Sequence, residues 1–150
     1  MTVKYSCLPP TPVVTRRCTV QNRAEIHRML AEIASGLPDG SIAGPPFCIF
    51  HFITSVTSGH DVTLGVPVRT AAGVEPISEV NKLPEMEILS LIHRGTPDTL
   101  GETAGKLFGY AGHHGIISDE FYREVYLDET DPRGPGIEIQ FVIHNWTRKL

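Results

Sequence analysis

Residues 136–144 read GIEIQFVIH, with Ile137, Ile139, Phe141 and Ile143 alternating with Glu138, Gln140, Val142 and His144. A period of two gives a strand with one apolar face and one face that carries a carboxylate. Similar β-branched or aromatic runs predict strands over Val3–Leu8, Val13–Val20, Phe47–Val56, Val62–Val68, Glu85–His93 and Phe121–Leu127. Pro9, Pro10 and Pro12 interrupt the first of these, which suggests an edge or a bulge. Two stretches change to a helical period. After Asn22, with Glu25 as the reciprocal partner of a capping box, Ile26, Met29, Leu30 and Ile33 form one buried stripe, and Gly36 ends the helix. After Thr96 as cap and Pro97 at the first helical position, Leu100, Ala104, Leu107, Phe108 and Ala111 form a second stripe, closed by Gly115. Gly101, Gly105, Gly109 and Gly112 are costly inside a helix, and suit either close packing on a sheet or the close approach of a ligand.

The order strand–helix–strand–strand therefore occurs twice. The helix caps Asn22 and Thr96 lie 74 residues apart, the central strands at Phe47 and Phe121 also 74, and the last strands at Val62 and Ile137 lie 75 apart. The expected architecture is α+β: a single domain of two pseudo-symmetric modules, about 1–70 and 85–150, joined by a linker of about 71–84. An antiparallel sheet would carry two main helices, with a ligand cleft between the halves. On this alignment Glu138 corresponds to Thr63, so the carboxylate is kept in only one half.

Composition narrows the function classes. At 150 residues the chain buries roughly two thirds of its unfolded surface and needs no staple. A net charge of −4 with no Lys/Arg run argues against direct nucleic-acid binding. Cys7, Cys18 and Cys48 form no CxxC pair, which reads as small buried thiols in a reducing compartment, and no apolar run reaches membrane-span length. A cytoplasmic protein is expected, with no membrane partner.

Glu138 has two readings: a solvated carboxylate on an open sheet face, or a carboxylate at the floor of an apolar pocket. Tyr122 and Tyr126 share one face of their strand, as do Phe50 and Phe52 of theirs. If these rings and Glu138 line the same side, the result is an aromatic box with one carboxylate, suited to a flat, apolar or cationic ligand. The adjacent His113 and His114 are badly placed for chelation and better explained at a helix C-terminus. No metal site, no cofactor loop and no nucleophile motif is apparent, so no cofactor is expected.

The second half, IHRGTPDTLGETAGKLFGYAGHHG followed by FYREVYLDETDPRGPGIEIQFVI, resembles the gyrase-inhibitor-like (GyrI-like) small-molecule-binding domain, a family that includes effector-binding domains of AraC- and MerR-type regulators. The resemblance rests on His93-Arg94-Gly95, Leu107-Phe108-Gly109-Tyr110, Glu124-Val125-Tyr126 and Ile137–Ile143, and more loosely on KYSCLPPTPVVTRR and DVTLGVPV. Val142 replaces the usual proline of the last strand, which Pro67 keeps in the first half, and Tyr110 stands where Trp is common. The resemblance implies a cleft between two modules and makes Glu138 the central acid. It implies a binder of lipophilic, cationic, multidrug-type ligands through Glu138, Tyr122, Tyr126, Tyr110, Phe50 and Phe52. The alternative it implies is a hydrolase of electrophilic, cyclopropane-bearing compounds. There Glu138, its pKa raised by apolar walls, is general base, and Tyr110 or Tyr126 donates a proton. With two helical stretches and a start at Met1, a stand-alone member is expected. A homodimer remains open, and a gyrase-binding role finds no exposed apolar patch to support it.

Overall fold

Asn22 accepts a hydrogen bond from the Glu25 amide (3.0 Å), and the Glu25 carboxylate accepts one from Gln21 rather than from Asn22 itself (2.9 Å). This box starts α1 (Arg23–Ser35), which buries Ile26, Leu30 and Ile33. The second helix begins differently from the expected Thr96 cap. A 3₁₀ turn, Pro97–Thr99, precedes α2 (Leu100–His113), and the Thr96 side chain makes no capping bond. His93 secures this entry instead, through Thr103 Oγ1 (2.7 Å) and the Thr96 carbonyl (2.8 Å).

The structure is a computed structural model that describes residues 2–51, 59–71, 73–74 and 79–144. The far end of the predicted Phe47–Val56 strand, with Phe52, lies outside the described residues. Eight strands are described: β1 (Lys4–Leu8), β2 (Thr11–Val20), β3 (Phe47–His51), β4 (His60–Pro67), β5 (Asn81–Leu83), β6 (Met86–His93), β7 (Ser118–Leu127) and β8 (Gly136–Ile143). β5 lies in the stretch that periodicity assigns to a linker. No described helix is long and apolar enough to cross a membrane.

The strands form one antiparallel sheet in the order β1-β6-β8-β7-β3-β4-β2-β5. The order reads the same from either end when the modules are exchanged, with β3 and β7 paired at the centre. A shift of 75 residues carries Leu8-Pro9 onto Leu83-Pro84, and Val62–Val68 onto 137–143. The register agrees, since Leu8 pairs with Met86 and Leu83 with Thr11. Phe47 pairs with Gly65, and Gln140, 75 residues beyond Gly65, pairs with Arg123. Arg123 is therefore the counterpart of Phe47, in place of the Phe121 expected from sequence.

β1 and β2 are six positions apart in the sheet, yet only Pro9 and Pro10 separate them in sequence; β5 and β6 stand in the same relation across Pro84 and Glu85. Flat, six interstrand steps would span roughly 29 Å. A two-residue link reaches about 11 Å between flanking Cα atoms. The sheet must curl into a half-barrel. β1 with β6 and β2 with β5 also share one register, so Pro9 faces Glu85 and Pro10 faces Pro84 across a bend. Prolines have no amide proton, which lets the ladder lapse at this bend. Leu8 and Leu83, from the two outermost strands, pack in one cluster with Met86, Ile88 and Val142.

Both helices cover the same side. α1 packs on Val20, Val62, Leu64 and Val66, while α2 packs on Leu89, Leu91, Ile139 and Phe141. The other face, inside the curl, carries Val13, Phe47, Ile49 and Val125.

Glycines separate into two kinds. A Cβ on Gly65 would lie 2.3 Å from the Phe47 ring, so this glycine is the bed on which the ring rests. Nothing lies within 4 Å of a Cβ built at Gly101, Gly105, Gly109 or Gly112, so close packing does not explain them. The same substitution should therefore have opposite effects. Gly65→Ala is expected to destabilise by about 1–3 kcal/mol, and Gly105→Ala to stabilise by about 0.5–1 kcal/mol, both read from urea unfolding midpoints.

Candidate functional site

Alternation in β8 sends Ile137, Ile139 and Phe141 to the helices, and Glu138, Gln140 and Val142 into the curl. Both faces are covered: Glu138 is 8% exposed and Gln140 4%. Glu138 is thus not the solvated carboxylate of an open sheet. Its cross-strand neighbours are Val125 on β7 and Ile92 on β6.

The walls around Glu138 are more polar than expected. Gln140 Nε2 donates to Glu138 Oε1, and Arg133 Nη1 donates to Oε2 at 2.8 Å. Arg133 comes from the 128–135 loop and also binds Asp131 (3.1 Å). That bond holds the Asp131 carboxyl below the usual carboxylate range and raises the Arg133 guanidinium. Arg94 braces the loop by donating to the carbonyls of Pro135 (2.6 Å) and Arg133. Glu138 and Arg133 line two cavities. One, of about 490 Å³, also includes Lys4, Ser90 and Arg94; the other, of about 200 Å³, includes Val13, Phe47, Leu83 and Val125.

Arg123 lies on this same face, 7% exposed. Its guanidinium stacks over the Phe47 ring at 4.3 Å, and Nη1 reaches Met86 Sδ at 3.7 Å. Burial lowers its pKa to about 10, with Glu138 pulling the other way, so it is charged at neutral pH. Its Nε and the Gln140 Oε1 are buried without a hydrogen-bond partner.

The aromatic box does not form around Glu138. Tyr126 pairs with Ile137 and Tyr122 with Phe141, and cross-strand partners share a face, so both tyrosines point to the helices. Phe50 pairs with Tyr122 and stacks on it at 4.8 Å. Tyr110 is on the exposed side of α2, 4.3 Å from the His114 ring. Phe52 lies outside the described residues. The buried carboxylate on the helix side is Glu124, 2% exposed, which accepts from the Tyr126 hydroxyl (2.9 Å) and from Arg23 (2.6 Å). Burial, with Glu124 nearby, pushes the Tyr122 and Tyr126 hydroxyls above their ordinary range, making them weaker acids.

Sequence reasoning missed Arg123, Gln140 and Arg133. A signal for the first was present: in FYREVYL the adjacent Arg123 and Glu124 give each strand face one charge. Cys48 is buried as expected, its thiol pushed up by burial, whereas Cys7 is exposed and Cys18 half-buried. Among the described residues no cluster of His, Cys, Asp or Glu could hold a metal ion.

Comparison with known proteins supplies a context. The family model of the GyrI-like small molecule binding domain matches residues 1–141. Among curated protein sequences, none matches. Similar solved structures include the EcmrR C-terminal domain, at 18% identity and TM-score 0.76, covering 95% of this chain and 97% of that one. SAV2435 bound to tetraphenylphosphonium aligns at 15% identity and TM-score 0.65, over 99% and 97%. A hydrolase encoded by lin2189 from Listeria innocua aligns at 9% identity and TM-score 0.63, over 95% and 91%. At these identities the likeness is one of fold.

The Glu124 cluster and the Glu138 face are separated by the sheet, and a substitution can tell them apart. Arg23→Ala leaves a buried carboxylate on the helix side. The expected loss is about 2 kcal/mol in chemical denaturation, below that of a fully buried pair because Arg23 is partly exposed. The Glu138–Arg133 pair on the opposite face should be unaffected.

Proposed function

The chain belongs to the GyrI-like small-molecule-binding domain family, and from that premise we propose that it binds a lipophilic small molecule inside the curl of the sheet, with Glu138 as the polar anchor. The observation that carries this reading is a carboxylate only 8% exposed that nonetheless lines two cavities, the smaller of them walled also by Val13, Leu83 and Val125. Burying a carboxylate costs free energy unless it is paired, and here the pairing comes from a side chain on a surface loop, Arg133. A cationic ligand would replace that guanidinium and inherit its ion pair. Such a module serves a multidrug-type sensor or a sequestering protein.

The hydrolytic alternative is less well supported. Glu138 as general base would need an acid within reach, and Tyr110 and Tyr126, expected in that role, point away on the helix side. Its two bonds to Arg133 and Gln140 also favour a fixed acceptor over a proton carrier.

The test is isothermal titration with tetraphenylphosphonium, the lipophilic cation seen in SAV2435. Wild-type protein should bind it, and Glu138→Gln should weaken binding about tenfold or more. Arg133→Gln, which removes the competing internal cation, should bind more tightly than wild type. Equal affinity of wild type and Glu138→Gln would remove the carboxylate from recognition.

A further inference from the structure

The same cavity holds a second polar group with the opposite preference. Arg123 is 7% exposed, and among the described residues no carboxylate ion-pairs with it. The contact with the Phe47 ring, 4.3 Å from the guanidinium carbon, supplies its N–H groups with no oxygen acceptor. Nη1 has a thioether sulfur, a weak acceptor, and Nε has nothing. Beside it Gln140 Oε1 is also buried without a partner. Both side chains line the smaller cavity, whose remaining walls include Leu8, Val13, Leu83 and Val125.

The duplication shows that the fold does not require a cation there. At the matching position of the first module stands Phe47, and opposite it Gly65 takes the place of Gln140. One module fills the ladder position with a ring over a glycine; the other pairs an arginine with a glutamine. An unpaired buried cation is destabilising relative to an apolar side chain of similar volume. Retaining one beside an orphaned amide, in a cavity wall, points to a group that arrives from outside.

We propose that Arg123 is an acceptor-binding subsite, and that the ligand of this cleft is an apolar molecule bearing a carboxylate which takes hydrogen bonds from the Arg123 guanidinium. The inference rests on the cleft being the ligand site and adds the ligand's second polar feature. A planar carboxylate matches the N–H fork, and burial strengthens the contact. Glu138 lines the same cavity, where Arg133 neutralises its charge.

Two probes of similar shape, biphenyl-4-carboxylate and biphenyl-4-methanol, test it by isothermal titration beside tetraphenylphosphonium. Wild-type protein should bind the carboxylate about tenfold more tightly than the alcohol. Arg123→Met should bring the two to equal affinity, with a melting temperature at or above that of wild type. Arg123→Lys, which keeps the charge but not the planar fork, should retain part of the preference and serves if the Met variant fails to fold. Equal binding of the two probes by wild type, or an undiminished preference in both variants, overturns the subsite. Binding of tetraphenylphosphonium without the carboxylate overturns the subsite and leaves the cleft reading standing. Failure of all three probes overturns both.

Discussion

Pro9-Pro10 and Pro84-Glu85 each join strands that stand six positions apart in the sheet. Their short reach, about 11 Å against roughly 29 Å for the flat arrangement, bends the sheet until its outermost strands meet. The site follows from that bend. In a flat sheet with helices on one side, the Glu138 face would be open to water. In the curled sheet the same face becomes an interior, where Glu138, Gln140 and Arg123 sit among Val13, Phe47, Leu83 and Val125. The links owe their shape to proline, which fixes the backbone and withholds the amide that would continue the ladder.

The sheet then separates two buried carboxylates into different environments. Glu124 lies on the helix side, closed in by Tyr126 and Arg23. Glu138 lies on the cavity side, and its charged partner reaches in from a loop. Glu124 is thus paired from a helix, whereas Glu138 is paired from a loop. Adjacent residues in β7, Arg123 and Glu124, contribute one charge to each side of the sheet.

Much of this was legible in the sequence. The period-two and helical stripes located the main strands and both helices, because a half-buried element must place its apolar residues on one face. The duplication was legible in element order, and the strand holding Glu138 in its alternation. The composition of the site was less legible. Which side Tyr122 and Tyr126 share depends on register against β8, and a shift of one residue would exchange the faces. Periodicity within one strand carries no such information. β5, with three residues and an exposed Lys82, gives too short a pattern to read. Arg133 was invisible for another reason: a loop side chain obeys no period, and its approach to Glu138 is set by Asp131 and Arg94. The open glycine face of α2 has no packing explanation in the fold.

Methyl-resolved NMR distinguishes a ligand inside the curl from one in the groove beside the helices. With tetraphenylphosphonium bound to methyl-labelled protein, nuclear Overhauser contacts are expected from the phenyl protons to Leu8, Val13, Leu83 and Val125. Contacts instead to Ile137, Leu107 or Leu30, on the side of Tyr122 and Tyr126, would contradict binding inside the curl.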